Sequence, residues 1–552
     1  MNKKTFIVLF LILFLAGLLR FPYLSRFPSG FSADEAVQGY TAYSILKTGR
    51  DEWGQFLPLN PRSFGDYKPP LYTYLTIPSI ALFDLNEFAV RLPSAFWGTL
   101  AVLAVFLLTQ ELFGLVSLSL LSAFFLAVCP WHLVFSRSAI EANLTAFFFT
   151  MGFYFFLKGL KRTKFFPLAV LFLGLNLYTY HSARLFTILF AAFLLFWFRK
   201  EIKFFDKKVL WSGILALIFI LPMVISLFAG GSKRFGDVSL LNPTDKWQEV
   251  SSRQQESLLK NPLPILANNK FTWVADKFVK NYFSYFSLSF LFTGGSSDSY
   301  YSNLPGRGLL HLWDLPFLMA AIWFFYKKKQ KVGWLLLAWL LLAGLPASFS
   351  KEAAHANRAS PFLPLWSLLS AYGAFFLWKF LAPKLSFFAK RIILTVSLLL
   401  VCSSLILFLD EYFSHAPVKT SRGLNYGYEQ MIDYVGKIEG NYDKIILTKI
   451  FSEPQVFFAF YKKYDPLKYQ NESQDFLRYE KDGFLFLDQL GIYHLGKYEF
   501  RDINWMADKS LKRTLIVGGR QDFAMDLNLK PMQIIYFPDG EEAFLIVDPE
   551  RN

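Results

Sequence analysis

The 552-residue sequence is poor in cysteine and in charged residues. Its two cysteines, Cys129 and Cys402, stand far apart in apolar runs, which excludes a disulfide framework and a paired-cysteine metal site. Charged residues make up 18% of the chain, against about 25% in soluble globular proteins, so a string of soluble domains is excluded. The sequence also lacks a Gly-rich phosphate loop, a nucleophile elbow and a zinc motif. The missing phosphate loop disfavours a reaction in which a bound nucleotide donates the transferred group.

Apolar residues, in contrast, dominate the chain, with 54% hydrophobic and 19% aromatic residues. A helix needs about 17–25 mostly apolar residues to cross a bilayer. No small-x-small cleavage site follows the first apolar run, so we expect it to remain as a span. The pattern predicts a polytopic α-helical membrane protein with about eleven transmembrane helices, at 5–20, 90–110, 115–134, 142–157, 165–180, 184–198, 209–229, 309–326, 332–349, 360–378 and 392–410.

Lysine and arginine are concentrated in alternate loops between these runs. Because basic loops stay on the cytoplasmic side, this alternation predicts a cytoplasmic N-terminus and a location in the plasma membrane. The outer side then receives a first loop (21–89), a longer loop (230–308) and the tail (412–552). The net charge of +15 therefore records membrane orientation, so we expect membrane lipids and no nucleic acid as partners.

Two outer regions have structure of their own. In the first outer loop, the apolar residues of 33–47 and 70–83 predict helices lying in the membrane interface. The tail predicts a small α/β domain, with helices at 427–439 and 455–464 and strands at 444–451, 484–487, 514–517, 534–537 and 543–547. We therefore expect a multi-span domain over 1–411 and an extracytoplasmic soluble domain over 412–552.

The first candidate for chemistry is an acidic pair at the start of the helix 33–47. Ser32 and Glu35 have the spacing of a capping box, which gives Glu35 a structural role as the alternative to a catalytic one. Asp34 is not needed for that box. At the boundary of water and lipid its carboxylate could act as a general base on an acceptor hydroxyl.

Several further ionisable residues begin helices on the predicted outer side. Lys68 either reaches to a lipid headgroup or binds a phosphate. Arg91 opens the second span and is either a membrane anchor or a phosphate clamp. Glu141 forms a second possible capping box with Ser138, and is alternatively an acidic residue that orients an acceptor.

Two outer loops each hold one histidine and one arginine, namely His181 with Arg184 and His355 with Arg358. The simpler interpretation is anchoring at the membrane interface. Their common side with Lys68 favours the alternative, a cationic surface that binds the substrate.

These motifs together resemble the family 39-type membrane glycosyltransferases of the GT-C class, which include protein O-mannosyltransferases and lipid A aminoarabinose transferases. The resemblance covers most of residues 1–410, and the order, spacing and common side of the motifs carry it. The matching segments are Asp34-Glu35, Lys68-Pro69-Pro70-Leu71, Arg91-Leu92-Pro93-Ser94, Arg137 with Glu141, residues 180–186 and residues 355–358.

The resemblance implies an inverting hexosyl- or pentosyltransferase that moves a sugar from a polyprenyl-phosphate donor to an acceptor on the outer side. Asp34 would be the catalytic base, and Lys68 and Arg91 would hold the donor phosphate. Glu141 would be the second acidic residue, although relatives often have aspartate there. Asp66, close to Lys68 in sequence, could take over an acidic function.

The acceptor remains open among lipid, protein and glycan. The scheme requires no cofactor, and although some members of the family bind a divalent metal, no ligand set is recognisable in this sequence. The alternative function is a transporter or flippase for lipid-linked glycans. Transport would be favoured by internal repeats or by charges at the middle of spans. Here the ionisable residues gather in outer loops instead, which favours catalysis.

Overall fold

The structure is a computed structural model that describes all residues except 1, 64, 66, 227–238, 242–245, 259–261, 297–301, 353, 452, 485, 525 and 527. Asp66 therefore lies outside the described residues. The α-helices of the described residues are, in chain order, α1 (Lys3–Arg20), α2 (Ala33–Thr48), α3 (Pro70–Phe83), α4 (Glu87–Phe113), α5 (Val116–Val128), α6 (Pro130–Arg137), α7 (Leu144–Lys161), α8 (Phe166–Asn176), α9 (His181–Trp197), α10 (Lys207–Ser226), α11 (Lys246–Gln255), α12 (Leu263–Ala267), α13 (Lys270–Ser284), α14 (Asp314–Lys328), α15 (Lys331–Ser348), α16 (Leu363–Leu381), α17 (Phe387–Asp410), α18 (Ala416–Thr420), α19 (Tyr428–Ile438), α20 (Pro454–Tyr461), α21 (Pro466–Glu472), α22 (Arg478–Lys481) and α23 (Trp505–Asp508).

The chain divides into two compact units, and both are discontinuous in sequence. The first comprises Met1–Leu19, Trp97–Ser136 and Ile140–Ile406. The second comprises Arg20–Phe96, Arg137–Ala139 and Leu407–Asn552, so it joins the predicted first outer loop to the tail. The predicted domain limits at 411 and 412 remain a prediction.

The first unit is a bundle of apolar helices. Its central contacts join α5, α14 and α16, whose buried core includes Leu118, Phe125, Phe324 and Tyr372. Gly373 lies where α16 passes α14, and a Cβ there would lie 1.7 Å from the carbonyl oxygen of Phe317. Glycine therefore permits an approach of the two helix backbones that any side chain would prevent.

Several of these helices have the length and composition of membrane spans, as the sequence predicts. Among the described residues, five helices are long and apolar enough to cross a membrane, at Glu87–Phe113, Lys207–Ser226, Lys331–Ser348, Ser360–Lys384 and Phe387–Thr420. The chain is thus a mostly helical, multi-pass membrane protein. The count of eleven spans is not reached by this criterion.

The other predicted spans do not meet this criterion, and several of them are shorter than 18 residues or broken in the structure. The span predicted at 115–134 consists of α5 and α6, which are bent by 57° between Val128 and Pro130. Proline has no N–H for the helical ladder, so the backbone turns there. The apolar segments Thr163–Asn176 and His181–Trp197 form helices of fewer than 18 residues. In α1, Lys4 and Arg20 leave only residues 5–19 uncharged.

In the second unit, helix α2 packs against elements of the tail. The phenol of Tyr40 donates to the carbonyl oxygen of Tyr464 at 2.9 Å. Gly39 lies against α20, where a Cβ would be 2.6 Å from side-chain atoms of Phe460 and of Val90. Helix α2 is therefore buried over much of its length, and its predicted place in the membrane interface stays a prediction.

The tail contains a six-stranded sheet in the order β2-β3-β1-β4-β6-β5. Strand β1 is parallel to β3 and to β4, and the other pairs are antiparallel. Its core includes Ile446, Ile516 and Leu545. The strands are β1 (Lys444–Leu447), β2 (Tyr493–Leu495), β3 (Tyr498–Phe500), β4 (Thr514–Gly518), β5 (Gln533–Tyr536) and β6 (Glu542–Val547).

The sheet differs from the prediction at one strand and one hairpin. The strand predicted at 484–487 is absent among the described residues there, because Leu487–Gln489 form a 3₁₀ turn. The antiparallel hairpin of β2 and β3, with a tight turn at Gly496, was not predicted.

Candidate functional site

The start of α2 forms the capping box that the sequence predicts. The Ser32 hydroxyl accepts the backbone N–H of Glu35 at 3.2 Å, and the Glu35 carboxylate accepts the backbone N–H of Ser32 at 3.1 Å. This reciprocal pair fixes the first turn. Asp34 lies within that turn, and its side chain is 37% exposed.

Glu35 also forms a buried ion pair with Arg91 at the beginning of α4. The Nε of Arg91 donates to Oε1 at 2.9 Å and its Nη2 donates to Oε2 at 3.2 Å. Glu35 is 2% exposed and Arg91 is fully buried. Oε1 also accepts the backbone N–H of Ala139 at 2.9 Å. One carboxylate thus ties together three segments that are distant in sequence.

The other donors of Arg91 bind backbone carbonyl oxygens. Nη1 donates to Leu24 at 3.1 Å and to Pro28 at 3.2 Å, and Nη2 donates to Gly30 at 2.6 Å. All five N–H groups of the guanidinium are therefore used within the protein. This arrangement favours a structural role for Arg91 over direct binding of a donor phosphate.

The half-exposed carboxylate of Asp34 forms an ion pair with the buried ammonium of Lys68. The distance from Lys68 Nζ to Asp34 Oδ1 is 2.7 Å, and the Lys68 side chain is only 4% exposed. The backbone N–H of Lys68 donates to the carbonyl oxygen of Pro61 at 2.9 Å, and the prolines that follow begin α3. A neighbouring ammonium favours the ionised carboxylate, which is the form that a general base requires.

A further buried cation of the second unit is Arg137, which the sequence analysis named as part of a matching segment but to which it gave no role. Its Nη1 and Nη2 donate to the carbonyl oxygens of Arg20 at 3.1 Å and Pro22 at 2.8 Å. Its guanidinium stacks over the rings of Tyr412 and Phe413. The sequence signal was an arginine at the end of an apolar helix, a position that also suits simple anchoring.

Glu141 lies in the first unit and is 7% exposed. It begins a 3₁₀ turn over Glu141–Asn143 that has no side-chain cap, and α7 starts only at Leu144. The Ser138 hydroxyl makes no hydrogen bond within the described part of the chain. The predicted capping box of Ser138 and Glu141 is therefore wrong, because the 3₁₀ turn separates the loop from the helix.

The two histidine–arginine loops meet in the first unit. The Ser182 hydroxyl, next to His181, donates to the carbonyl oxygen of Arg358 at 2.7 Å. Arg184 is 7% exposed and its Nε donates to the carbonyl oxygen of Leu177 at 3.0 Å. His355 is likewise buried. The structure thus brings the predicted loops together, whereas their role in substrate binding stays a prediction.

Buried carboxyl groups in the second unit were missed. Asp51 is fully buried and burial raises its pKa to about 6. Burial, with the Asp51 charge next, raises the pKa of Glu52 well above its usual range. Glu453 in the tail is 2% exposed. The only sequence signal for their burial was that Glu52 precedes Trp53 and that Glu453 precedes Pro454.

No cluster of three or more histidine, cysteine, aspartate or glutamate side chains that could hold a metal ion occurs among the described residues. A divalent metal without an assigned ligand therefore stays a prediction from the family resemblance.

One segment of the sequence matches the model of a known family. The model described as "Dolichyl-phosphate-mannose-protein mannosyltransferase" matches residues 67–225, a segment that includes Lys68, Arg91, Glu141 and His181. No curated protein matches the chain. The family match and the multi-span fold together confirm the predicted resemblance to GT-C membrane glycosyltransferases.

Solved structures extend this similarity over nearly the whole chain. The oligosaccharyltransferase of Archaeoglobus fulgidus, tethered with an acceptor peptide, has a TM-score of 0.53 at 14% identity, covering 98% of this chain and 74% of that one. ArnT from Cupriavidus metallidurans, bound to undecaprenyl phosphate, has a TM-score of 0.52 at 13% identity, covering 99% and 98%. At these identities the similarity establishes a shared fold.

Proposed function

We propose that this protein transfers a glycosyl residue from a polyprenyl-phosphate-linked donor to an acceptor on the extracytoplasmic side of the membrane. The observation that carries the proposal is the ion pair of Asp34 and Lys68. It places a half-exposed base next to a cation that is suited to a phosphate, within a fold shared with proteins whose structures contain dolichol phosphate or undecaprenyl phosphate.

In the proposed reaction, the acceptor hydroxyl attacks the anomeric carbon of the donor sugar and inverts its configuration. The acceptor proton passes to Asp34, the bond from the anomeric carbon to the phosphate oxygen breaks, and the electron pair remains on the phosphate. Lys68 stabilises the charge that develops on this leaving group. Because Lys68 is buried, its ammonium is poorly hydrated and its attraction to the phosphate is strong.

The remaining candidate residues take supporting places in this proposal. Glu35 and Arg91 act by positioning the first turn of α2, and hence Asp34, since their polar atoms already bind each other and the backbone. Glu141 and the loops of His181, Arg184, His355 and Arg358 are candidates for acceptor or donor binding. Asp66 keeps its predicted auxiliary role.

The proposal includes the topology predicted from the sequence. Eleven spans, a cytoplasmic N-terminus and an extracytoplasmic tail in the plasma membrane would place Asp34 on the outer side, where lipid-linked sugars are the activated donors. The concentration of lysine and arginine in alternate loops, all on the predicted cytoplasmic side, supports this orientation.

The deciding experiment incubates the purified protein in liposomes with polyprenyl-phosphate sugars and measures the release of polyprenyl phosphate. We expect Asp34→Asn to lower turnover by about 100-fold or more, because general-base catalysis contributes roughly that much. Asp84→Asn is the matched control, since Asp84 also pairs with a lysine, Lys463, but is 62% exposed outside the site.

Two results would overturn parts of the proposal. Turnover of Asp34→Asn at the wild-type rate would remove Asp34 as the base. Movement of the intact donor across the bilayer without any release of polyprenyl phosphate would favour the alternative, a flippase.

A further inference from the structure

An apolar cavity runs along the hairpin of α14 and α15 in the first unit. Its volume is about 720 Å³, within the range of about 300–1,000 Å³ that is typical of ligand pockets. It is lined by one face of α14, within residues 315–326, and by one face of α15, within residues 333–340. Trp366 and Leu369 of α16 also contribute to its wall.

The dimensions and the lining of this cavity suit a hydrocarbon chain. Residues 315–326 extend over about 16 Å of helix, and half of a hydrocarbon core about 30 Å thick is about 15 Å. The cavity is therefore about as long as one leaflet of a bilayer is deep. Met319 and Ile322, which line it, are 64% and 72% exposed, so a lipid can enter it from the side of the bundle.

One end of the cavity carries positive charge. Among the described residues that line it, Lys329 is the charged one. It belongs to the turn 327–331, which has four lysines and no acidic residue. The ammonium groups of Lys327 and Lys328 lie over the rings of Trp323 and Phe376. Lys329 makes no ion pair within the described part of the chain, so its charge is available to a ligand.

The backbone at Lys329 is one that lysine seldom adopts. Lys329 ends α14 in the left-handed conformation, with φ 47° and ψ 37°. Glycine is the usual residue at this position, because a Cβ is strained there. A lysine is favourable at the negative end of the helix dipole, but Lys327 and Lys328 already supply that charge in the last turn. The dipole therefore does not account for a third lysine.

We propose that this cavity binds one anionic phospholipid, with an acyl chain between α14 and α15 and its phosphate at Lys329. Basic residues at a cavity between transmembrane helices complement the headgroups of such lipids. In the predicted topology the lipid belongs to the cytoplasmic leaflet, whereas the donor phosphate is proposed to bind Lys68 on the outer side. The inference adds a lipid site to the proposed function and does not depend on it.

The simpler interpretation is that the lysines only set the orientation in the membrane and that any lipid chain fills the cavity. The test therefore adds equimolar phosphatidylglycerol, which is anionic, and phosphatidylcholine, which is zwitterionic, to the full-length protein in detergent micelles. Native mass spectrometry counts the molecules of each that stay bound. We expect one retained lipid, with phosphatidylglycerol preferred about fivefold, the contribution of one lysine at an anionic membrane surface.

Two variants change the charged end and the apolar part of the cavity separately. Lys329→Asn removes the charge, and asparagine tolerates the left-handed backbone, so a lipid should stay bound without the preference. Lys200→Asn, at an exposed lysine between α9 and α10, should keep the preference. Ile322→Trp fills the apolar part and should abolish retention of either lipid. Leu217→Trp on α10, at a 53% exposed position, should keep the retained lipid.

Each possible result supports or overturns this inference. Equal binding of the two lipids by the wild type, a preference that survives in Lys329→Asn, or a lipid retained by Ile322→Trp overturns it. Displacement of phosphatidylglycerol by an equal amount of polyprenyl phosphate also overturns it, because the cavity would then bind the donor. If either variant fails to fold, Lys329→Gly or Met319→Trp takes its place. A wild type that binds phosphatidylglycerol but releases no polyprenyl phosphate contradicts the proposed function alone.

Discussion

Glu35 and Arg91 form a buried ion pair with two contacts, Nε to Oε1 at 2.9 Å and Nη2 to Oε2 at 3.2 Å. The pair joins the first turn of α2 to the beginning of α4, one residue away from the proposed base Asp34. The same carboxylate closes a capping box with Ser32. The Glu35 carboxylate therefore both stabilises the second unit and fixes the helical turn that carries the proposed catalytic group, Asp34.

Removing one partner of this pair should destabilise the protein strongly. We expect Glu35→Gln to lower the free energy of unfolding by about 3–5 kcal/mol, because the Arg91 charge is then buried without compensation. Chemical denaturation in detergent micelles measures this. Asp443→Asn, which breaks the exposed pair with Arg513, should have little effect. If the two variants lost equal amounts of the free energy of unfolding, burial of the Glu35–Arg91 pair would not determine its contribution to stability.

Lys68 and Lys463 offer a matched comparison, since each forms an ion pair with an aspartate but Lys68 is buried and Lys463 is exposed. We expect Lys68→Met to raise the donor KM about tenfold or more, the effect of one lost charge-assisted hydrogen bond. Lys463→Met should leave the donor KM within about twofold, because exposed pairs contribute little. The release assay measures both. A normal donor KM in Lys68→Met would rule out phosphate binding by this residue.

Asp51 should make the stability of the protein fall as the pH rises. Burial raises its pKa to about 6 in the folded state, so the folded protein binds the proton more tightly than the unfolded chain. The stabilising effect is complete below pH 4 and is lost as the pH rises to above 6. We expect Asp51→Asn to be more stable than wild type at pH 7.5 and equally stable near pH 4, in thermal unfolding.

The Asn side chain can still accept the N–H groups of Trp53 and Gln55 that Asp51 binds at 3.1 and 2.8 Å. In the control variant, Asp443→Asn, the effect of the substitution on stability at neutral pH should have the opposite sign. A hydrogen bond from Arg513 lowers the pKa of Asp443, so Asp443→Asn should be slightly less stable than wild type at neutral pH. A pH profile of Asp51→Asn parallel to that of the wild type would contradict the assignment.

Two helix glycines should respond in opposite ways to replacement by alanine. At Gly373 the new Cβ would meet the carbonyl oxygen of Phe317 at 1.7 Å, and backbone atoms cannot move aside cheaply. We expect Gly373→Ala to lose several kcal/mol or to misfold. At Gly213 in α10, nothing lies within 4 Å, so Gly213→Ala should gain up to about 1 kcal/mol. Unfolding in detergent, or yield of folded protein, tests the pair. A stable Gly373→Ala would contradict the close packing of α14 and α16.

The elements that could be predicted are those with local signals. Helices α2 and α3 start within a residue of the predicted positions, because a capping box and a pair of prolines mark their first turns. The hairpin of β2 and β3 was missed because each strand has only three residues, too few to show an alternating pattern. The break at Pro130 was missed because the run is mostly apolar on both sides of the proline.

The candidate site shows the same limit. The capping role of Glu35 was readable because its partner Ser32 is three positions away. Its second partner, Arg91, is 56 positions away, and nothing in the spacing indicates that the two side chains meet. The burial of Glu453 depends on packing between the tail and α2, which no local pattern encodes. Such long-range contacts arise from the tertiary fold alone.

The discontinuity of the second unit has a consequence for how a new chain matures. Residues 20–96 leave the ribosome before residues 407–552, which complete the same compact unit, because residues 97–406 are translated between them. At roughly 5–20 residues per second, translation of the intervening segment takes about 15 seconds to a minute. During that interval Asp34 and Lys68 lack their surroundings from the tail. Asp34 and Lys68 therefore acquire their complete surroundings only after residues 97–406, which separate the two segments of the second unit in sequence, have been translated.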